Sequence, residues 1–93
     1  MKIKLAEWQD ACGNWHAADV SAVGKGSSAW WLIARALGLP LDTFAEMIIT
    51  KYKPDYVKYF EDKCLLLFHW KSQVAMRKFK NEINAMLRKV GAQ

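Results

Sequence analysis

The stretch of sequence that decides the fold is residues 72–91, SQVAMRKFKNEINAMLRKVG. Its apolar residues recur three or four positions apart, which is the spacing of one face of an α-helix. They are Ala75, Phe79, Ile83, Met86 and Val90, flanked by Met76 and Leu87. The segment is therefore predicted to be a long amphipathic helix whose apolar face packs against the rest of the chain.

The opposite side of this helix is basic and carries amide groups. Its residues are Arg77, Asn81, Asn84 and Arg88, with Lys78, Lys80 and Lys89 at the edges. These cations are accompanied by a single carboxylate, that of Glu82. Arginines bind phosphates, and amides bond to sugars or base edges, so we expect this face to bind nucleic acid or a nucleoprotein. The alternative is a solvated helix face without a partner, because basic surface helices are common.

The composition indicates one globular domain spanning residues 1–93. Hydrophobic residues make up 53% of the chain, enough for a core without a metal or a disulfide framework. The net charge of +5 favours acidic partners and argues against a mimic of DNA, which needs the opposite sign. Cys12 and Cys64 are too few for a disulfide scaffold, so reduced thiols and a cytoplasmic location are expected. Early charged residues argue against a secretory signal peptide, and no apolar run is long enough for a membrane partner.

Turn residues divide the rest of the chain into two strand pairs and one helix pair. Strands are predicted around residues 3–5, 15–21, 56–60 and 64–70, with helices at 29–37 and from a capping box at Thr43 and Glu46 to Pro54. Gly38 supplies the left-handed stop between these helices. The expected class is α+β, in the order β-β-α-α-β-β-α, with two antiparallel hairpins forming a small sheet beside three helices.

The two central helices resemble a helix-turn-helix motif over some twenty residues. Ala34 permits close helix contact, and Gly38 permits the sharp turn. The outward positions of the second helix are predicted to be Pro40, Leu41, Asp42, Ala45, Glu46 and Ile49. A helix that reads DNA needs polar or basic side chains at such positions. We therefore interpret this helix pair as a packing unit.

A glycine-rich loop precedes the first helix and is a candidate anion site. Backbone N–H groups at the start of a helix attract anions, and Lys25, Gly26 and Ser27 would provide the contacts. The spacing differs from that of a nucleotide-binding P-loop. A flexible connector is the alternative.

The chain contains cysteines and histidines, the residue types that bind zinc or form thiol active sites. Their spacing in the sequence does not match that of either kind of site. Cys64 and His69 lie on opposite faces of one predicted strand, roughly 16 Å apart, too far to share a zinc ion with Cys12 and His16. No metal or cofactor is therefore expected, with Cys64 buried and His69 hydrogen-bonded. Cys12, His16 and Asp10 have the residue types of a thiol nucleophile site, yet no spacing defines one, so enzymatic activity is not expected.

Aromatic residues are interleaved with lysines between Tyr52 and Trp70. Stacking on Tyr52, Tyr56 and Tyr59, with Lys53 and Lys58 neutralising phosphates, is one hypothesis for binding of single-stranded nucleic acid. The alternative is that the rings pack in the core while the lysines reach solvent.

Residues 37–44, LGLPLDTF, and 78–84, KFKNEIN, are similar to sequences of short accessory proteins from phages and other mobile elements. This resemblance implies a role in controlling replication, transcription or host defence through binding, and it carries over no functional residue. The second functional hypothesis is accordingly a protein-binding inhibitor or adaptor, for example of a host defence or regulatory complex. It would act through exposed aromatic or apolar surface, and a second copy of the chain, forming a homodimer, is a further candidate partner.

Overall fold

The computed structural model describes residues 2–24 and 29–93 and confirms the α+β class and the predicted element order. The strands are β1 Leu5–Gln9, β2 Trp15–Asp19, β3 Tyr56–Phe60 and β4 Leu65–His69. The helices are α1 Trp30–Ala36, α2 Leu41–Met47 with its π-helical continuation Ile48–Tyr52, and α3 Gln73–Lys89. Within the described ranges, no helix has the length and apolar content that crossing a bilayer requires.

The four strands form two antiparallel hairpins, β1–β2 and β3–β4, which one backbone bridge joins edge to edge. The Trp15 N–H donates to the Trp70 carbonyl at 2.6 Å, and the Trp70 N–H donates to the Trp15 carbonyl at 3.0 Å. This bridge lies between β2 and the end of β4, so the strands follow the order β1, β2, β4, β3. Opposed residues of an antiparallel pair share a face, so the bridge also decides which side chains of the two hairpins are neighbours.

Phe79 of α3 lies at the centre of an aromatic core. It is fully buried, and its ring centroid lies 5.1–5.8 Å from those of Trp30, Tyr52, Phe68 and Trp70. The buried indole N–H of Trp70 donates to the Tyr52 carbonyl at 2.8 Å, which satisfies its only polar group. The last helix is therefore the element onto which both hairpins and the helix pair pack.

Asn84 fixes α3 against the edge strand β1. Its Oδ1 accepts from the Leu5 N–H at 2.8 Å, and its Nδ2 donates to the Leu5 carbonyl at 3.0 Å. The side-chain amide thus occupies the place that the peptide group of a further strand would take. Gln93 completes the contact by donating from Nε2 to Asn84 Oδ1 at 3.0 Å and to the Ile3 carbonyl at 3.1 Å.

This contact turns α3 away from the orientation that its apolar spacing predicts. The buried residues of the helix are Met76, Phe79, Ile83, Asn84 and Leu87. Val90, expected in the apolar stripe, is 54% exposed, whereas Asn84, expected on the outward face, is 7% exposed. The physical reason is that the backbone of β1 needs hydrogen-bond partners, and an amide buried on the helix supplies them.

The start of α2 differs from the predicted capping box. The helix begins at Leu41, directly after Pro40, whose extended backbone leads into it, so Thr43 lies inside the first turn with Glu46 further along. Proline suits this N-cap position because its carbonyl still accepts the Phe44 N–H, at 3.0 Å, and the N–H that it lacks takes no part in the hydrogen bonds of the helix. Ala45, predicted to face outward, is buried in the core.

The prediction that Cys64 is buried is wrong. Cys64 is exposed and has a left-handed backbone, with φ of 49°, at the end of the hairpin turn. β4 begins one residue later, at Leu65, and it buries Leu66 and Phe68 on its inner face. The opposite face of β4 is half-buried.

Replacing Asn84 by alanine should lower the free energy of unfolding by about 2–4 kcal/mol, because two backbone groups of Leu5 lose their partners. Urea denaturation followed by tryptophan fluorescence measures this loss. Asn81→Ala is the matched control, since it makes the same change at an exposed position of the same helix. We expect it to stay within about 0.5 kcal/mol of wild type. Equal losses in the two variants would contradict the role of Asn84.

Candidate nucleic-acid interface

The predicted interface lies on α3, whose ends are set by local chemistry. The Ser72 hydroxyl accepts from the Ala75 N–H at 3.2 Å and caps the N-terminus, and Gly91, with φ of 77°, follows the C-terminus in a left-handed conformation. Between these ends the helix has 17 residues and is about 25 Å long. Its side chains therefore have fixed relative positions.

Glu7 of β1 neutralises part of the predicted basic face. The Arg77 guanidinium donates to both of its carboxylate oxygens, at 2.7 and 3.0 Å, and Lys80 Nζ donates to it at 3.0 Å. Gln73 Nε2 adds a further hydrogen bond at 3.1 Å. The hydrogen bonds from Arg77 and then Lys80 lower the pKa of Glu7 to about 2. Two of the predicted binding cations are thus engaged within the protein.

Four of the predicted residues on α3 are exposed and take no part in the contacts with Glu7, and we call them the α3 strip. They are Lys78, Asn81, Arg88 and Lys89. Arg88 also donates from Nη1 to Gln93 Oε1 at 3.1 Å, a contact with a neutral amide that leaves its charge uncompensated. From Lys78 to Lys89 the strip spans about 17 Å along the helix axis.

Glu82, the acidic residue of α3, is engaged on the side of the helix that faces Tyr52. The Tyr52 hydroxyl donates to Glu82 Oε1 at 3.0 Å, and Lys51 Nζ lies 3.3 Å from the same oxygen. Burial acts to raise the pKa of Glu82, but the hydrogen bonds from Tyr52 and Lys51 outweigh it and lower the pKa. Counted against the two carboxylates Glu7 and Glu82, the five cations of α3 leave an excess of three positive charges.

The other predicted nucleic-acid contacts are a candidate anion loop and a set of tyrosines for base stacking. Lys25, Gly26 and Ser27, the candidate anion loop, lie outside the described residues. Tyr52 is buried, and its hydroxyl is bonded to Glu82, so its ring is not available for base stacking. Tyr56 is exposed, and its ring stacks on His69 at a centroid distance of 5.0 Å.

One polar cluster in the structure is not among the predicted sites. Ligand atoms of Asp10, His16 and His69 lie within 4.8 Å of one another, and His16 Nε2 lies 2.8 Å from Asp10 Oδ2. Neither cysteine belongs to the cluster: Cys12 and Cys64 are both exposed. The sequence signal for it is weak, because the spacing within one strand cannot show how two hairpins pair.

Comparison with protein-family models, with curated proteins and with solved structures finds no significant match. The class of protein is therefore defined by the structure without reference to relatives. It is a small α+β protein with a cationic helix face.

The pKa of Glu7 offers a direct test of the ion-pair geometry. Carbon-13 NMR of the side-chain carboxyl should give a midpoint near 2, well below the ordinary value of 4.5. Arg77→Gln should raise that midpoint, because it removes the strongest hydrogen bonds to the carboxylate. Lys78→Gln is the control and should leave it unchanged. A wild-type midpoint near 4.5 would contradict the geometry.

The same shift predicts how stability depends on pH. Because the folded-state pKa is lowered, the contribution of Glu7 is present above about pH 4.5 and is lost as the pH falls towards 2. Urea unfolding of wild type and of Glu7→Gln should therefore differ most near pH 6 and converge near pH 2. A difference in unfolding free energy that stays constant from pH 6 to pH 2 would contradict the lowered pKa of Glu7 in the folded state.

Proposed function

We propose that this protein is a non-enzymatic module that binds nucleic acid, free or within a nucleoprotein, through the α3 strip. The observation that carries the proposal is the charge left on α3 once its carboxylate partners are taken into account. Glu7 pairs with Arg77 and Lys80, and Glu82 pairs with Lys51. The cations of the α3 strip are exposed, and none of them belongs to these ion pairs.

The ion pairs support this proposal in a second way, by holding the helix rigid. Glu7 ties the first half of α3 to β1, and Glu82 ties the helix to Tyr52. Asn84 anchors the second half through Leu5. A preorganised cationic surface loses less conformational entropy on binding than a mobile one does.

The chemistry of the α3 strip suits a phosphate backbone better than base edges. Lys78, Arg88 and Lys89 carry the charge, and Asn81 is the one member able to accept a hydrogen bond as well as donate one. Phosphate contacts position a protein on nucleic acid without reading its sequence. We therefore expect weak sequence preference and strong dependence on salt.

A second candidate function is a protein-binding inhibitor or adaptor, and one observation favours it. Trp31 is 45% exposed on α1, next to the buried Trp30. Exposed tryptophans often anchor protein interfaces. Capture of a stoichiometric protein partner that Trp31→Ala loses, with no binding to nucleic acid, would select this function over the first.

Fluorescence anisotropy with labelled duplex DNA and RNA of random sequence, over a series of salt concentrations, tests nucleic-acid binding. Three phosphate contacts to duplex DNA predict a slope of about −2.7 in log affinity against log salt. Lys78→Glu/Arg88→Glu should weaken binding at least tenfold at low salt, because each substitution replaces a phosphate contact with repulsion. It should also reduce the slope by about 2.

Lys63→Glu/Lys71→Glu is the matched control. Both of its lysines are exposed outside α3, and the variant changes the net charge by the same amount, from +5 to +1. We expect less than about a threefold loss of affinity, since only long-range attraction is altered. Equal losses in the two double variants, or binding that is insensitive to salt, would refute the role of the α3 strip.

A further inference from the structure

A row of four aromatic side chains crosses both hairpins. Trp8 lies opposite His16 in β1–β2, and Tyr56 lies opposite His69 in β3–β4. The ring centroids of these cross-strand pairs are 4.2 and 5.0 Å apart, and both pairs are stacked. The two histidine rings meet in the middle of the row, edge to face, at 5.4 Å.

The bridge between the hairpins brings the two imidazoles together. Trp15 and Trp70 are directly paired, so the residues that follow Trp15 and precede Trp70 are also opposed in this antiparallel arrangement. Those residues are His16 and His69. Trp70 is buried in the core, and the alternation of side chains along a strand places the adjacent histidines on the other face.

Asp10 supplies a carboxylate beside this pair, and the turn after β1 orients it. Its Oδ1 accepts from the backbone N–H groups of Cys12, at 2.9 Å, and Asn14, at 3.0 Å. Its Oδ2 lies 2.8 Å from His16 Nε2. The carboxylate is thus held by the backbone, with one oxygen directed at the imidazoles.

We propose that Asp10, His16 and His69 form a binding site for a divalent first-row transition-metal ion of the Zn²⁺ type. One ligand atom from each residue lies within 4.8 Å of the others. A tetrahedral zinc ion holds its ligand atoms about 3.3 Å apart, so the separations have to close by at most about 1.5 Å. Small rotations of half-buried side chains at the ends of strands supply a movement of this size.

The donor set selects the class of ion. Two imidazoles and one carboxylate suit zinc and its first-row neighbours, whereas Mg²⁺ and Ca²⁺ prefer oxygen ligands throughout. Three protein ligands leave a fourth position for water or another small ligand. None of the three residues belongs to α3. The proposed metal site therefore does not depend on the proposal that α3 binds nucleic acid.

Titration calorimetry with ZnCl₂ tests the site in a Cys12→Ser/Cys64→Ser background, because exposed thiols also bind zinc. We expect one ion per chain. His16→Gln and His69→Gln should each weaken binding at least about tenfold, and MgCl₂ should give no binding heat. Asp62→Asn, which removes an exposed carboxylate from the hairpin turn, is the control and should bind zinc as the background does.

A spectrum of the unaltered protein keeps the test valid if a histidine variant unfolds. The chain has only two histidines, so every imidazole signal in a long-range ¹H–¹⁵N NMR spectrum belongs to the proposed site. Added Zn²⁺ should shift the ring nitrogens of both His16 and His69. Imidazole signals that do not move at saturating zinc, zinc binding that disappears with the two thiols, or one ion shared by two chains would each overturn the proposal.

Discussion

The rest of the structure depends on one contact, the pairing of the Asn84 amide with the backbone of Leu5. An edge strand carries N–H and C=O groups that need partners, and in this protein a helix side chain supplies them instead of another strand. The contact fixes the rotation of α3 about its axis. Because β1 then runs along the helix, Glu7 comes within hydrogen-bond distance of Arg77 and Lys80. The contact that satisfies β1 therefore also determines which cations of α3 pair with Glu7.

A second long-range contact organises the opposite end of the hairpins. The backbone bridge between Trp15 and Trp70 aligns two hairpins that are otherwise separate sheets. It buries one tryptophan ring beneath α3 and sets the two histidines side by side on the other face. Core packing and the polar cluster thus have a common origin in strand register.

Local sequence patterns predict the order of the elements of this protein, although β1 lies at Leu5–Gln9 and not around the predicted residues 3–5. Proline, glycine and turn residues mark the boundaries, so the order of the elements and the strand Tyr56–Phe60 agree with the structure. Gly38 adopts the left-handed conformation expected of a helix stop, with φ of 75°. Ser72 caps α3 at the first residue of the predicted helical segment. Each of these features depends on neighbours in the sequence.

The candidate sites are harder to predict, because their partners are distant in the sequence. Asn84 and Leu5 are separated by 79 positions, and Arg77 and Glu7 by 70. Helical spacing shows that Asn84 and Arg77 share a face, but it cannot show that a strand edge lies against it. The meeting of His16 and His69 depends in the same way on a bridge between two hairpins.

Amide hydrogen exchange at Leu5 tests the central contact most directly. If Asn84 Oδ1 accepts the Leu5 N–H, the Leu5 amide should exchange as slowly as the amides in the buried part of α3. The reason is that the hydrogen bonds of both break only when the whole protein unfolds. Exchange of the Leu5 amide at the rate of an unprotected peptide, while α3 remains protected, would show that the helix is not anchored to β1. The orientation of α3 derived from that contact would then be wrong.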